Sequence, residues 1–272
     1  MALINLHNHS NFSDGTLSPA KLAALAGGAG IGYFSLTDHD SVSGWEEMEP
    51  ALKERGIKFC YGVELTTNLT ENMHILGYGV DPKDEAFKKS LDGFRAKRIK
   101  RVEEIIEKLK LNCGITLSFD ELKVPPGKTV GRPHIARLLC EKGYASSRKK
   151  AFERFLIPGK PAYVPPNGPT VEEAVLTIKK AGGAAVWAHP GAVAKTQVEN
   201  LGAWKECGLE GLEAFYPAHT KACIRRFVEL AESLGLFVTA GIDFHGPGTD
   251  RDKMTGYPFE EKYFSAVERF FI

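Results

Sequence analysis

Leu3-Ile4-Asn5-Leu6-His7-Asn8-His9 is an apolar run that ends in two histidines, and its reading decides the fold. Residues i and i+2 of a strand project to one face, so both imidazoles can reach a common ion at the strand end. Further strand-like runs lie at Tyr33 to Leu36, Phe59 to Val63, His74 to Leu76, Ala184 to Ala188, Leu212 to Phe215 and Leu236 to Ala240. Most of them also carry ligand-type residues at an end. Thr37-Asp38-His39-Asp40 follows the second, Gly62-Val63-Glu64 ends the third and His74 opens the fourth. Ala188-His189-Pro190 ends the fifth, and Asp243-Phe244-His245 follows the seventh. Helix-like segments at Pro19 to Ala29, Val171 to Ala181 and Thr220 to Leu234 separate these runs, and strands alternating with helices predict an α/β fold with parallel strands. Seven candidate strands favour a (β/α) barrel over an open sheet. Side chains at the C-terminal strand ends of a barrel converge on one mouth.

The alternation stops after Asp81. Ala86 to Leu111 reads as one long helix with Val102, Ile105, Ile106 and Leu109 at i, i+3, i+4, i+7 spacing, and helical pattern returns at Ile135 to Lys142 and Lys149 to Phe155. Pro125, Pro126 and Gly127 break this segment, and Pro158, Gly159, Pro161, Pro165 and Pro166 close it. The expected organisation is a barrel domain over 1–82 and 167–272 with an inserted helical subdomain over 83–166. The insert holds 20 Lys/Arg against 10 Asp/Glu, while the remainder holds 15 against 24. The formal net charge of +1 therefore conceals a basic insert on an acidic body. Charge runs are commonly solvated helix faces. Arg95, Lys97, Arg98, Lys100 and Arg101, however, lie within one helical stretch without an acid, and such a group repels itself unless an anion is near.

The chain has 272 residues, 43% hydrophobic and 25% charged, which argues against disordered, collagenous and coiled-coil classes. No run approaches the roughly 18 apolar residues of a membrane span, and Met1 leads into a polar, His-rich segment rather than a signal peptide. A soluble cytoplasmic protein is expected, with no membrane association and no obligate protein partner. Cys60, Cys113, Cys140, Cys207 and Cys223 form no C-x-x-C pair, so buried free thiols are expected rather than disulfides or a thiolate zinc site. Neither a Walker-type nor a dinucleotide-type glycine loop is present; Gly27-Gly28-Ala29-Gly30 reads as a helix end. Trp45, Trp187 and Trp204 read as packing residues.

Histidines and carboxylates without thiolates suit Zn, Mn or Fe in a hydrolytic site. His7, His9, Asp14, His39, Glu64, His74, His189, Asp243 and His245 exceed what one ion needs. Two or three divalent ions sharing a bridging carboxylate are expected.

These motifs, in order, resemble those of the polymerase and histidinol phosphatase (PHP) superfamily, from His7-Asn8-His9-Ser10-Asn11-Phe12-Ser13-Asp14-Gly15 to Gly241-Ile242-Asp243-Phe244-His245. The resemblance implies a distorted seven-stranded (β/α) TIM-like barrel with a di- or trinuclear site. It implies that His7, His9, Glu64 and Asp243 hold a first ion and that Glu64 bridges to a second held by His74 and His189. Asp14, His39 and His245 form the third set. Gly131-Arg132-Pro133-His134-Ile135-Ala136 and Gly159-Lys160-Pro161-Ala162-Tyr163-Val164-Pro165 resemble the branch that dephosphorylates nucleoside 3′,5′-bisphosphates and trims RNA from its 5′ end. Arg forks suit phosphate, so Arg132 and His134, then Arg98, Arg101 and Lys160, are the substrate-binding candidates.

The expected chemistry is phosphomonoester hydrolysis by a metal-bound hydroxide, with no Ser or Cys nucleophile. Asp40 and His219 are candidates for the leaving-group acid, although His219 reads more readily as a surface histidine. The expected substrate is a nucleoside bisphosphate or a short single-stranded RNA. Histidinol-phosphate phosphatase is the alternative enzyme, and a non-catalytic nucleic-acid-binding module the alternative of another class. Loss of ligands would mark that module, and all nine are present.

Overall fold

The computed structural model describes residues 3–125, 127–193 and 195–272. Met1 and the Pro126 of the expected helix break lie outside the described residues. The chain runs β1 (Leu3–Asn5), α1 (Pro19–Gly28), β2 (Ile31–Phe34), α2 (Trp45–Glu54), β3 (Lys58–Phe59), β4 (Gly62–Thr66) and β5 (His74–Tyr78). There follow α3 (Glu85–Cys113), α4 (Arg132–Glu141), α5 (Arg148–Ala151), α6 (Val171–Lys180), β6 (Ala184–Trp187), α7 (Leu201–Glu206), β7 (Leu209–Phe215), α8 (Lys221–Leu234), β8 (Phe237–Ala240), β9 (Tyr257–Pro258) and α9 (Glu261–Val267).

Local chemistry sets these boundaries. Ser18 caps α1 by accepting the Lys21 amide proton, with Pro19 at the first helical position. Thr170 and Glu173 form a reciprocal capping box on α6, whose Val171, Ala174, Val175 and Ile178 bury one stripe. Asp84 caps α3 and Gly114 ends it in the left-handed region at φ 65°.

The strands form two sheets rather than one closed ring of seven. One has the order β3-β2-β1-β9 and the other β4-β5-β6-β7-β8. Two features of the chain account for the difference. The run Phe59 to Val63 is not one strand: Phe59 pairs with β2, whereas Gly62 opens β4 in the other sheet. Gly62 permits that approach, because a Cβ there would lie 2.2 Å from Ser35 Oγ. In addition, β5 runs antiparallel to both β4 and β6, while β6, β7 and β8 are parallel. The sheets meet through two isolated bridges, Asn8 with Phe244 and His39 with Glu64. Both seams therefore fall beside the histidine motifs.

Apolar side chains form two separate cores. The larger contains Ile4, Phe34, Val63, Ile75, Trp187, Leu212 and Val238 between sheets and helices. The smaller is built from Val102, Ile105, Leu109, Ile135, Leu139, Phe155 and Leu156. Helix α3 enters both, since Phe87 and Leu91 belong to the first and Val102 to Leu109 to the second. Truncation of Ile105 to alanine would cost about 2–5 kcal/mol. All five cysteines are free, but only Cys60 is fully buried, so the expectation of buried thiols holds at one position. No described helix is long and apolar enough to cross a membrane.

Candidate metal centre and phosphate cavity

The residues after β1 alternate as the strand pattern requires. Asn8 turns into the wall, where its amide donates to Asn5 O at 3.2 Å and Ser35 O at 3.0 Å, leaving His7 and His9 on the opposite face. Asp38 folds the next turn by accepting from the Ser10 amide at 2.7 Å and the Ser10 and Ser13 hydroxyls at 2.6 Å each, which brings Asp14 back beside His9. Asp40, His189 and Asp243 adopt positive φ values of 48°, 31° and 55°. Such strain in non-glycine residues persists where the surroundings over-determine it.

Three groups of ligand-type atoms result among the described residues: His7, His9, Glu64 and Asp243; His9, Asp14, His39 and His245; and His39, Glu64 and His74. Glu64 Oε2 lies 3.1 Å from both His9 Nε2 and His39 Nδ1, and Glu64 Oε1 lies 2.9 Å from His74 Nδ1. His189 stands just outside these groups with Nε2 3.3 Å from Glu64 Oε1. All nine residues thus converge, with His39 beside Glu64 and His74 in the group where the resemblance implied His189.

Several ligand-type atoms here make no hydrogen bond. His7 Nε2, His9 Nε2, Asp14 Oδ1, Glu64 Oε2 and Asp243 Oδ1 are buried without a hydrogen bond. Unsatisfied buried polar atoms are costly, and five aimed at one another fit a cationic occupant. The charges agree. Burial disfavours a cation at His7, yet Glu213, Asp243 and Glu64 outweigh it and hold the imidazole well above its ordinary range. His9 is likewise pushed up to about 9 by Asp243 and Glu64 against burial. Burial opposes ionisation of Glu64, Asp14 and Asp243, but neighbouring imidazoles, and Arg251 at Asp243, hold all three well below the usual carboxylate range. His39 goes the other way, burial keeping it neutral.

Above the cluster opens a cavity of about 1300 Å³ whose wall includes Asp14, His39, His74, His245, Arg98, Arg101 and Arg132. Arg98 bonds Asp40 at 2.5 Å and also Thr66, whose hydroxyl contacts His39 Nδ1 at 3.2 Å. Arg132 and Pro133 form the wall near α4, and His134 accepts the Gly131 amide proton on Nδ1 at 3.2 Å while its ring feels the charge of Asp14. Burial lowers the His134 pKa, so the neutral ring carries its proton on Nε2. Lys160 is exposed in a turn outside the cavity wall. Asp40 is the buried counter-ion of Arg98, and its carboxylate also accepts the Thr66 amide proton at 3.2 Å, so it is not presented to the cavity. His219 is neither at the mouth nor on the surface: it is buried, with Nδ1 against Ala214 O at 2.9 Å and Nε2 accepting the Gly191 amide proton at 3.1 Å. Trp45, Trp187 and Trp204 pack in the core as expected.

Sequence reading missed Glu213, Glu71 and Arg251. Glu213 is fully buried and accepts from the His189 amide at 2.9 Å as well as facing His7. A signal was present, because Glu213 shares one strand face with Leu209, Gly211 and Phe215, an otherwise apolar set. Arg251 reaches Asp243 Oδ2 at 2.6 Å from a loop with no periodic pattern.

A buried histidine and carboxylate cluster beneath a guanidinium-lined cavity defines a metal-dependent hydrolase of phosphoester bonds. The chain belongs to the PHP family, its residues 5–146 matching the family's model, the PHP domain. It is 35% identical over 254 residues to the 3′,5′-nucleoside bisphosphate phosphatase of Chromobacterium violaceum, covering 91% of this chain and 89% of that protein. It is also 35% identical over 250 residues to a 5′-3′ exoribonuclease of Haemophilus influenzae, covering 89% and 90%. Among solved structures, an amidohydrolase from Chromobacterium violaceum with bound sulfate and no metal superimposes with a TM-score of 0.89 at 32% identity, covering 100% of this chain and 98% of that one.

Proposed function

We propose that this enzyme removes the 3′-phosphate of nucleoside 3′,5′-bisphosphates, and that the same site cleaves short 5′-phosphorylated RNA stepwise from its 5′ end. The observation that carries this reading is the adjacency of two features: buried ligand-type atoms without a hydrogen bond, and a cavity wall bearing five guanidinium groups. The names of the relatives point the same way. In this reading His7, His9, Glu64 and Asp243 hold one divalent ion, Glu64, His74 and His189 a second, and Asp14, His39 and His245, joined by His9, a third, with Mn, Fe or Zn as the element. Bound there, such ions supply Lewis acidity to a phosphoryl oxygen and lower the pKa of water.

The chain's own residues do the rest. Arg98, Arg101 and Arg132 counter the negative charge of the substrate inside a wall where water screens it poorly. Neutral His134, with its proton on Nε2, braces the start of α4 and can donate to a phosphate oxygen. Lys160 contributes only to the field of the basic lobe. Residues 83–166 act as the substrate-holding subdomain, a division supported by their separate core, and the two bridged sheets act as a distorted barrel. A cytoplasmic location belongs to the same reading.

The test is phosphate release with manganese, comparing adenosine 3′,5′-bisphosphate, adenosine 5′-monophosphate, a 5′-phosphorylated RNA pentamer and histidinol phosphate. Preference for the bisphosphate or the RNA, reduced in Arg132→Ala, supports the proposal. Preference for histidinol phosphate overturns the substrate and leaves the metal site standing.

A further inference from the structure

Glu71 sits between two guanidinium groups of the cavity wall. Its Oε1 meets Arg101 Nη2 at 2.5 Å, and its Oε2 meets Arg132 Nη2 at 2.5 Å. One carboxylate spanning two guanidinium groups copies the way in which two oxygens of a phosphate engage arginines. Tyr163 faces the same carboxylate, and all four residues line the cavity. The knot is one arginine removed from the histidine cluster, because Thr66 touches both His39 and Arg98, and Arg98 is the next cation along the wall.

Charge and anchoring differ between the partners. Asp40 satisfies Arg98, which leaves Arg101 and Arg132 sharing a single carboxylate. Burial brings the Arg132 pKa down to about 10, with Glu71 opposing the shift and Arg101 adding to it. The arginines are fastened to the backbone: Arg101 to Val164 O at 3.1 and 2.8 Å, and Arg132 to Leu156 O at 3.2 Å while stacking 5.4 Å over Phe152. Glu71, by contrast, lies at the tip of the β4–β5 hairpin, whose base is closed by the Thr67 amide bonding Met73 O at 3.2 Å. Beside it the Thr70 hydroxyl is buried without a partner, a donor left idle in the same cavity wall.

We propose that Glu71 determines specificity as a carboxylate gate: it closes the Arg101–Arg132 seat in the free enzyme and gives way only to a terminal, dianionic phosphate. The proposal rests on the reading of Arg101 and Arg132 as phosphate-binding residues. An internal phosphodiester carries one negative charge, no more than Glu71 already supplies, and is bulkier. A terminal monoester carries about 1.5 to 2 at neutral pH and also accepts from the idle Thr70 hydroxyl. The enzyme therefore distinguishes a free terminal phosphate from an esterified one at this seat.

Calorimetric binding to ion-free protein tests this with two probes, adenosine 3′,5′-bisphosphate and its 5′-phosphate methyl ester. Wild type is expected to favour the free bisphosphate at least tenfold. Glu71→Gln, which removes the charge and keeps the shape, should bind both probes more tightly and shrink the preference to threefold or less. Glu71→Asp, which keeps the charge, should retain the preference. Weaker binding by Glu71→Gln with the preference intact would make Glu71 an organiser of the arginines and overturn the gate. Arg132→Ala should lose at least tenfold on both probes. If it bound both like wild type, the arginine reading itself would fail.

Discussion

Glu213 and His7 are paired wholly out of solvent: Nδ1 of the imidazole lies 3.0 and 3.1 Å from the two carboxylate oxygens, which aims Nε2 at Glu64 and Asp243. A carboxylate behind a metal-ligating histidine fixes its tautomer and orientation, and its loss costs typically about 10–100-fold in metal affinity. Glu213→Gln should reduce affinity by that amount, measured by competition with a chelator. Retained wild-type affinity would remove Glu213 from the site.

Glu64 should be the least dispensable ligand, because its two oxygens lie within 3.3 Å of five imidazoles, those of His7, His9, His39, His74 and His189. Glu64→Ala is expected to lose bound metal and at least about 1000-fold in turnover, since one carboxylate there serves ions on both sides. Wild-type turnover with full metal content in that variant would contradict the site as drawn.

Loading should be pH-dependent. His9, raised to about 9, keeps a proton at neutral pH unless an ion displaces it, so manganese affinity should climb about tenfold per pH unit from pH 6.5 towards 9 for each proton released. Stability of the ion-free protein moves oppositely. A histidine whose folded pKa is raised contributes stability that is fully present below the unfolded value of 6.5 and is lost as pH rises through about 9. Melting curves at pH 6.5 and 9 should show the ion-free protein weakening and the loaded protein changing less.

The basic lobe should divide by position. Arg132 lines the cavity, and Arg132→Ala is expected to raise KM for a bisphosphate at least tenfold. Lys160 is exposed, and Lys160→Ala should change KM less than about twofold at physiological salt, where surface charges are screened over roughly 8 Å. Steady-state kinetics of the two variants side by side would decide the matter, and equal effects would count against the cavity as the binding place.

The histidine positions were legible because His-x-His and Asp-x-His spacing at strand ends is local information. The long helix was equally plain, its caps Asp84 and Gly114 lying at its two ends. The fate of Phe59 to Val63 was not, since nothing in that apolar run announces that Cys60 and Tyr61 carry the chain from one sheet to the next. Helix α2 was hidden by Pro50 in its interior. Strand β9 was hidden because it is two residues long and pairs with β1 from the far end of the chain. Glu71 and His219 take their roles from partners that tertiary folding alone supplies, Arg132 in one case and the Gly191 amide in the other.

The two sheets contribute separately to the cluster. His7, His9, Asp14 and His39 extend from the sheet of β1 and β2, and Glu64, His74, His189, Asp243 and His245 from the sheet of β4 to β8. An ion held by His9 and Asp243 thus ties together chain segments more than two hundred residues apart in sequence. It would act as a removable cross-link, restricting the unfolded chain as a long-range disulfide does. In this architecture, stripping the ions would unfasten the two sheets from each other as well as silence the chemistry.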